Sequence, residues 1–398
     1  MKVLQINAVY GHGSTGTIVR DIEHLCEQSG IECYVASPDK QVRKSKRGYV
    51  IGNMLDHKLH ALFSRIHGKQ GYFSHIPTKN LLRWMDDIQP DIVHLHNLHS
   101  NYIHLNMLLK YLAERNIRTI ITLHDCWFYT GGCFHYTADG CKGWMDKCGV
   151  CPKEKEDPLA VKSKATAQIL FDRKKYLLAI SKLIVTGVSN WITNEARRTF
   201  FKDSKVVTIY NGVDLSVFKP TPSDFRKRLN LESKYIILGP ASKWFLPVNK
   251  NILLEFTNLM QPDEVLLLFG VTEVPHGLPS NVITYGYTKN RTELAALYTM
   301  ADVFVNTTRE DSLSLINVES QACGTPVVTF NATGPKETVD DIHSFNVQVG
   351  DAVELYEKVQ IIRKRTTKAV TNACIQFVTD VFEVNDNYNK YIKLYTHF

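Results

Sequence analysis

The sequence predicts an α/β protein made of two doubly wound parallel sheets, each with helices on both faces as in a Rossmann-type domain. At 398 residues, the chain is long enough for two substantial domains. Short apolar runs alternate with longer helical patterns, which is the rhythm of βαβ units. The apolar runs are continuous, as in IVHL and TIITL, and such runs are typical of strands covered on both sides.

The first domain is expected over residues 1–214. Its predicted elements, in order, are strands 3–7, 32–36, 91–95, 119–123 and 183–189, with helices at 18–28, at 159–179 and after residue 190. A basic polar stretch at 41–48 and a Cys-rich loop at 126–152 interrupt this rhythm.

A turn-rich linker is predicted at residues 211–225, because Gly212, Pro220 and Pro222 fall there. The second domain is expected over residues 215–379, with strands at 235–241, 265–269, 303–306 and 326–330. The last thirty residues have a helical pattern. We expect the terminal helix, residues 380–398, to pack back on the first domain.

Composition excludes several classes of protein. Hydrophobic residues make up 44% and charged residues 22%, which is the balance of an ordinary globular protein and not of a disordered, collagenous or disulfide-scaffold chain. No run approaches the 18 apolar residues of a membrane span, and the first residues carry no signal-peptide pattern. A cytoplasmic location is therefore expected.

Positive charge is concentrated in the first half of the chain. Residues 1–200 carry 27 Lys and Arg against 18 Asp and Glu, whereas residues 201–398 carry 20 against 22. The basic stretch 40–47 and the amphipathic pattern 58–66 have two interpretations: a peripheral contact with the anionic inner membrane, or a core-facing helix with a solvated rim. No nucleic-acid recognition module accompanies this positive charge, so a nucleic-acid partner is not predicted.

A glycine-rich turn follows the first predicted strand. Gly11, Gly13 and Gly16 form G-x-G-x-x-G at the start of a helix, where backbone N–H groups favour an anion. One interpretation is a dinucleotide site, with Asp39 as the ribose-binding acid. The other is a turn with glycines for geometric reasons alone, since such turns are common in this fold class.

A second constellation lies in the C-terminal half, where Asp311 and Glu319 are eight residues apart around the start of a predicted helix. Both carboxylates can then face the carboxyl edge of the sheet and accept hydrogen bonds from sugar or ribose hydroxyls. Ser314 and Leu315 place backbone N–H groups at the same helix start, ready for a phosphate. The alternative is a solvated acidic helix start that complements the helix dipole.

Histidines cluster near two strand ends of the first domain. His124 ends the predicted strand 119–123, at the sheet edge where ligands bind in this fold class. His94, His96 and His99 in HLHNLH raise the alternative of a metal site, because alternate residues of a strand share one face.

Five of the nine cysteines crowd into 26 residues of the loop after His124. Because the total is odd, a disulfide framework is disfavoured. The C-x-x-C spacing of Cys148 and Cys151 suits a tetrahedral structural zinc, and reduced free thiols are the alternative. The predicted zinc ligands are Cys133, Cys141, Cys148 and Cys151.

Several segments in order resemble glycosyltransferase family 4, also called the group 1 glycosyltransferases, of the bacterial surface-polysaccharide type. They are the acidic-x7-acidic segment ending in Glu319, the ACGTPV turn, VSNW at 188–191, YNGVD at 210–214, ELAALY…ADVFV at 293–305 and TLHDCWFYTGGCFHY at 122–136. The resemblance implies the GT-B arrangement, in which two Rossmann-like domains face a central cleft. It also implies catalysis without a metal ion.

The resemblance carries roles onto matching residues. Lys250 and Lys243 would grip the donor diphosphate, Glu319 the ribose, and Asp311, or Glu310 one residue earlier, the donor sugar. His124 would lie at the reacting centre, with Ser314 and Leu315 at the donor phosphate. The acceptor side would be lined by Gly13, Ser14, Thr15, Gly16 and Thr17.

The function implied is that of a retaining hexosyltransferase. It would move a sugar from a UDP- or GDP-sugar to a glycan or a polyprenyl-diphosphate-linked oligosaccharide in capsule or O-antigen synthesis. Two alternatives remain at this stage: a nucleotide-sugar epimerase of the same fold, and a non-catalytic membrane-bound scaffold.

Overall fold

The computed structural model describes residues 1–155, 160–161, 163–365 and 368–397. The chain forms two compact units, Met1–Tyr210 together with Asn387–Phe398, and Asn211–Asp386. The boundaries expected from the sequence fall at residues 214 and 379. Each unit contains one all-parallel sheet, so the predicted fold class of two Rossmann-like domains is confirmed.

The sheet of the first unit has seven strands in the order β3-β2-β1-β4-β5-β6-β7. The strand order reverses between β1 and β4, and the carboxyl ends of strands at such a switch point are where doubly wound sheets bind ligands. The strands are β1 Lys2–Ile6, β2 Glu32–Ser37, β3 Gly48–Val50, β4 Ile92–Leu95, β5 Arg118–Leu123, β6 Leu183–Gly187 and β7 Lys205–Thr208. All four residues of β4 are buried, as its continuous apolar pattern predicts.

Six α-helices belong to the described part of the first unit up to residue 210. They are α1 Gly13–Gln28, α2 Met54–His67, α3 His75–Ile88, α4 Leu105–Glu114, α5 Thr166–Leu178 and α6 Asn190–Arg197. The helix predicted at 159–179 begins only at Thr166, and Leu159 lies outside the described residues. The basic stretch forms a short 3-10 helix, Lys40–Lys44, followed by β3.

The sheet of the second unit has six strands in the order β10-β9-β8-β11-β12-β13, so its switch point lies between β8 and β11. The strands are β8 Tyr235–Pro240, β9 Glu264–Phe269, β10 Val282–Tyr285, β11 Val303–Asn306, β12 Val327–Phe330 and β13 Phe345–Val347. On one face, Phe256 and Leu355 from two helices pack against Ile237 and Val305 of the central strands. Burying each such side chain contributes roughly 1.5–3 kcal/mol.

The helices after residue 211 are α7 Phe225–Arg228, α8 Ala241–Trp244, α9 Lys250–Leu259, α10 Arg291–Met300, α11 Leu315–Ala322, α12 Ala352–Arg365, α13 Lys368–Phe382 and α14 Val384–Thr396. The terminal helix predicted at 380–398 is therefore divided between α13 and α14, and Phe398 lies outside the described residues. Along α14, Tyr391 and Tyr395 are buried and bond to first-unit residues Thr122 and His94. Among the described residues, none of the helices has both the length and the apolar character to cross a bilayer.

Candidate functional site

The two predicted diphosphate-binding lysines flank a short loop after β8. Lys243 lies in α8 and is half-buried, whereas Lys250 is exposed and is the first residue of α9. Buried Asn249 fixes the loop, because its Nδ2 donates to the Lys243 carbonyl at 2.9 Å and to the Thr307 carbonyl at 3.0 Å. The lysine loop is thereby tied to the residue that follows β11.

The turn from β8 into α8 depends on a close approach between Gly239 and Trp244. The Trp244 ring is fully buried and its Nε1 donates to the Val305 carbonyl at 3.1 Å. A Cβ atom on Gly239 would lie 2.3 Å from that Nε1. Any larger residue at position 239 would therefore displace the indole and, with it, the helix that carries Lys243.

Arg309 is a cation beside this loop that sequence reasoning missed. Its Nε donates to Asn249 Oδ1 at 2.8 Å, and burial lowers the pKa of its guanidinium. The guanidinium also lies over the Phe330 ring, 5.9 Å from the centroid. Arg309 directly precedes the acidic pair Glu310 and Asp311, but its partner Asn249 is 60 residues away, so no local sequence pattern predicts the contact.

Asp311 lies in the loop after β11, and residues that follow β12 hold its backbone. The Asp311 N–H donates to Thr333 Oγ1 at 3.0 Å, and its carbonyl accepts from the Thr333 hydroxyl and from the Gly334 N–H. A Cβ atom on Gly334 would lie 1.9 Å from the Ser312 carbonyl oxygen, so only glycine fits there. Asp311 and the neighbouring Glu310 are both half-buried, and Asp311 Oδ1 accepts from the Ser312 N–H at 2.7 Å.

Helix α11 begins in an unusual conformation. Ser314 precedes the first helical residue, Leu315, and has φ of +71°, in the left-handed region. The buried Asn306 side chain holds this start, donating to Ser314 Oγ at 2.9 Å and to Asn317 Oδ1 at 2.8 Å. A polar strand-end residue therefore holds Ser314, one of the two positions predicted to face a phosphate, and Asn317 in the first turn of α11.

Glu319 lies on α11, and the pKa of its carboxyl group is strongly shifted. Burial raises its pKa to about 7, although the Tyr298 hydroxyl, which donates to Oε2 at 3.2 Å, and the charge of Arg291 lower it. A carboxyl group that gains and loses its proton near neutral pH is typical of functional sites. Its two oxygens accept hydrogen bonds when ionised.

In the first unit, the predicted acceptor-side residues form the first turn of α1. The helix begins at Gly13 and includes Ser14, Thr15, Gly16 and Thr17. Asn7, just after β1, reaches this turn through a 3.4 Å contact between its Nδ2 and Thr15 Oγ1. Both Gly11 and Gly13 have positive φ, at +73° and +62°, which explains these two glycines of the G-x-G-x-x-G pattern by backbone geometry.

The Asp39 carboxylate is occupied within the first unit. It accepts from the Tyr10 N–H and the Gln41 N–H and lies 2.7 Å from His12 Nε2. Burial alone would raise its pKa, but these partners outweigh it and lower the pKa. These contacts account for Asp39 without a ribose.

His124 follows β5 and takes part in a buried histidine network. Its Nε2 lies 3.0 Å from Nδ1 of His96, and its own Nδ1 is buried and has no hydrogen-bond partner among the described residues. His94 bonds to Tyr395 and Thr122, while His99 Nε2 lies 3.1 Å from Asp125 Oδ2. The alternative of a metal site at His94, His96 and His99 gains no support, because each ring already has partners.

The four predicted zinc ligands line one small cavity, of about 20 Å³, beside Trp144. All four are free thiols. Burial raises the pKa of Cys133 to about 12 and that of Cys148 to about 11, and the neighbouring thiols add to both shifts. Within the described ranges, no three His, Cys, Asp or Glu side chains are arranged to hold a metal ion. The zinc assignment of these cysteines therefore stays a prediction.

Helix α2 presents its apolar side chains outward. Its buried residues are polar: His60, whose Nδ1 lies 2.6 Å from Ser74 Oγ, and Ser64. Lys58 and Arg65 are exposed on the same helix. The exposed large apolar side chains of α2 are Met54, Leu55, Leu59, Leu62 and Phe63, with exposed fractions of 41–67%.

Comparison with known proteins agrees with this architecture. Residues 15–217 match the family model Glycosyltransferase Family 4, and residues 258–364 match Glycosyl transferases group 1. The chain belongs to glycosyltransferase family 4. The resemblance seen in the sequence motifs is thereby confirmed.

Curated relatives of this family 4 glycosyltransferase match only in part. Spore coat protein SA of Bacillus subtilis is 27% identical over 217 residues, which is 46% of this chain and 55% of that protein. An uncharacterised protein from the cps region of Klebsiella pneumoniae is 29% identical over 116 residues, 29% of this chain and 32% of that protein. The matches span between a third and a little over half of the length of these relatives.

Solved structures match this family 4 chain over its whole length. A glycosyltransferase from Rickettsia africae superposes with a TM-score of 0.71 at 17% identity, covering 100% of this chain and 98% of that one. Anabaena HepE in complex with UDP-glucose gives a TM-score of 0.67 at 15% identity and covers both chains completely. At these identities the similarity shows the shared GT-B fold alone.

Proposed function

We propose that this family 4 glycosyltransferase is a retaining hexosyltransferase that uses a UDP- or GDP-sugar as donor. The observation that carries the proposal is the clamp of Asn249, which ties the Lys243–Lys250 loop to the end of β11. Two lysines held at a sheet switch point suit a diphosphate, whose negative charge grows as the glycosidic bond breaks.

In the proposed reaction, Lys250 and Lys243 offset charge on the leaving diphosphate. Glu319, once ionised, accepts hydrogen bonds from the ribose hydroxyls, while Asp311 or Glu310 holds the donor sugar. Ser314 and Leu315 lie at the phosphate end of α11. The acceptor hydroxyl oxygen bonds to the anomeric carbon of the donor sugar as the bond from that carbon to the diphosphate breaks, and the hydroxyl proton passes to an oxygen of the departing phosphate. No carboxylate nucleophile is then required, and no step requires a metal ion.

His124 is the residue proposed at the reacting centre, and residues 13–17 are those proposed for the acceptor side. The acceptor is a glycan or a polyprenyl-diphosphate-linked oligosaccharide, and the product belongs to a surface polysaccharide such as capsule or O-antigen. Support for this biological setting comes from the match to a Klebsiella protein of a cps region.

A panel of UDP- and GDP-sugars tests the proposal. We expect one donor to raise the melting temperature of the protein, and its radiolabelled sugar to appear in an acceptor glycan with unchanged anomeric configuration. Conversion of the donor to an epimer without a glycan product would favour the epimerase alternative. Donor binding with neither hydrolysis nor transfer would favour the scaffold alternative.

We also propose that the protein binds the cytoplasmic face of an anionic membrane through α2. A core-facing helix buries its apolar side, whereas α2 buries His60 and Ser64 and exposes five large apolar side chains. Exposed cations lie on α2 at Lys58 and Arg65 and on the preceding basic stretch at Lys40, Arg43 and Lys44. An outward apolar stripe next to exposed cations suits the headgroup region of an anionic bilayer.

Vesicle sedimentation tests this contact. The protein should sediment with phosphatidylglycerol vesicles and less with phosphatidylcholine vesicles, and Leu59→Ser with Leu62→Ser should abolish the difference. Leu254→Ser is the matched control, since Leu254 is equally exposed, at 43%, but lies on α9. Equal loss of sedimentation in the control would contradict the proposal.

The predicted zinc would be architectural and would brace the loop after His124. Elemental analysis of freshly purified protein should then find about one zinc per chain, as expected for a single four-thiolate site. Zinc-free protein with an ordered loop would remove the prediction and leave four reduced thiols.

A further inference from the structure

Three side chains on neighbouring strands of the first sheet form a chain of hydrogen bonds. Gln5 is in the middle of β1, His96 follows β4, and His124 follows β5. Gln5 Oε1 lies 3.1 Å from His96 Nε2, and His96 Nδ1 lies 3.0 Å from His124 Nε2. Gln5 and His96 are completely buried, so water cannot replace either partner.

A backbone carbonyl at the Gln5 end decides which atom donates and which accepts in each of these hydrogen bonds. Gln5 Nε2 donates to the carbonyl oxygen of Val19 at 3.0 Å, and a carbonyl oxygen can only accept. The amide therefore cannot flip, and its Oε1 must accept from His96 Nε2–H. A neutral imidazole with a proton on Nε2 has a bare Nδ1, so His96 Nδ1 must accept from His124 Nε2–H.

This argument holds as long as both histidines are neutral. Burial lowers the pKa of His96 well below its ordinary value, with the nearby His94 and His124 adding to the shift. Burial likewise lowers the pKa of His124 to about 4, despite the opposing charge of Asp125. At neutral pH, His124 is thus left with a proton on Nε2 and a bare Nδ1. That Nδ1 is a buried acceptor, and no group in the described part of the chain donates to it.

We propose that Gln5 and His96 are positioning residues that hold His124 in its Nε2–H tautomer, so that Nδ1 can accept a hydrogen bond from a substrate hydroxyl. An orphaned buried acceptor is costly and is expected where a ligand completes it. A hydroxyl can donate to Nδ1, whereas an ionised phosphate oxygen cannot. The identity of that hydroxyl as one on a sugar rests on the proposed function, but the tautomer does not.

Long-range ¹H–¹⁵N correlation of the histidine rings tests the tautomer directly. In ¹⁵N-histidine-labelled protein at neutral pH, the His124 signals, assigned by their loss in His124→Gln, should show a protonated Nε2 and a bare Nδ1. A protonated Nδ1, or protons on both nitrogens, would overturn the proposal. This measurement needs no substrate, and it leaves Gln5 and His96 unchanged, the other two members of the Gln5–His96–His124 relay.

A variant pair tests the consequence for catalysis. Gln5→Met removes the acceptor for His96 at similar side-chain length, so His124 should become a mixture of tautomers and the transfer rate should fall about tenfold, the scale of one well-placed hydrogen bond. Tyr395→Phe removes one partner of His94, which lies outside the relay, and should change neither the tautomer nor the rate. Equal loss of rate in both variants, or a tautomer mixture in Gln5→Met at full rate, would overturn the positioning role.

The two arms separate this inference from the proposed function. If the wild-type protein has the expected tautomer but transfers no sugar from any donor, the proposed function fails and the relay stands. If transfer occurs but His124 has a protonated Nδ1, the function stands and the relay fails. Where Gln5→Met does not fold, the wild-type spectrum alone decides the tautomer.

Discussion

The switch points of the two sheets share a strand order but differ in the chemistry they carry. At β1, β4 and β5, the buried groups are an amide and neutral histidines, each paired by hydrogen bonds. At β8 and β11, the groups are lysines, an arginine and carboxyl groups on loops held by Asn249 and Asn306. One scaffold therefore offers a hydroxyl acceptor in the first unit and charge in the second, which suits two different parts of a reaction.

The largest expected effect is on the charged side, at Lys250. Lys250→Ala should lower kcat by about a hundredfold or more, because the charge it offsets develops as the diphosphate leaves. Donor affinity, measured by calorimetry, should fall much less. Lys250→Arg is the matched control and should keep most of the rate, and an equal loss of kcat and affinity in Lys250→Ala would contradict a role late in the reaction.

The next effect distinguishes the two adjacent acids. Asp311→Asn should lower kcat/KM for the donor by tenfold or somewhat more, the scale of one or two charge-assisted hydrogen bonds, while Glu310→Gln should have a smaller effect. Initial rates over a donor series measure both variants. The opposite ranking would move contact with the donor sugar from Asp311 to Glu310.

A smaller effect concerns pH and Glu319. Because burial raises its pKa to about 7, the Glu319 carboxylate, which we propose accepts hydrogen bonds from the ribose hydroxyls, forms as pH rises from 6 to 8. Donor affinity should rise about tenfold over that range, which follows from ionisation of a single group. In Glu319→Gln this dependence should disappear, and a variant with the wild-type pH profile would exclude Glu319 as its source.

The smallest effect is on stability, and here His94 in the first unit and Glu319 in the second should contribute in opposite directions as pH changes. Burial lowers the pKa of His94 to about 3, so the unfolded chain binds a proton there below pH 6.5 that the folded chain does not. Stability should then fall as pH falls from 6.5, by about 1.4 kcal/mol per pH unit for such a histidine. Glu319 has a raised pKa, so its contribution is lost as pH rises from about 4.5 to about 7.

Melting temperatures at pH 7 and pH 5.5 test the histidine contribution. We expect the wild-type protein to lose more stability on acidification than His94→Gln, which has no titrating group at that position. The same acid dependence in both proteins would mean that His94 is not a source of the effect.

The sequence predicted those strands and helices that follow from local patterns of residues along the chain. Continuous apolar runs predicted β4 and β5, and the spacing from Asp311 to Glu319 predicted that α11 begins between these two residues. The relay from Gln5 to His124 could not be predicted, because it depends on the register of β1 against β4 and of β4 against β5. Each member was visible as a residue, but not as a neighbour of the others.

Two other features could not be predicted from the sequence, for related reasons. The periodicity of α2 predicts a helix with an apolar side but does not say which side faces the sheet, and His60 rather than Leu59 turned out to be buried. Arg309 is explained by Asn249, which is distant in sequence. In both cases packing between separate elements decides the outcome, and local pattern carries no information about it.

The three hydrogen bonds of Asn249 have a consequence for how a donor would bind. Because one amide already joins the Lys243 carbonyl, the Thr307 carbonyl and the Arg309 guanidinium, the cationic loop is set in shape before any nucleotide arrives. Ordering a flexible loop would otherwise consume part of the interaction energy with the ligand. Asn249→Ala should therefore weaken nucleotide binding, even though the Asn249 amide need not contact the nucleotide.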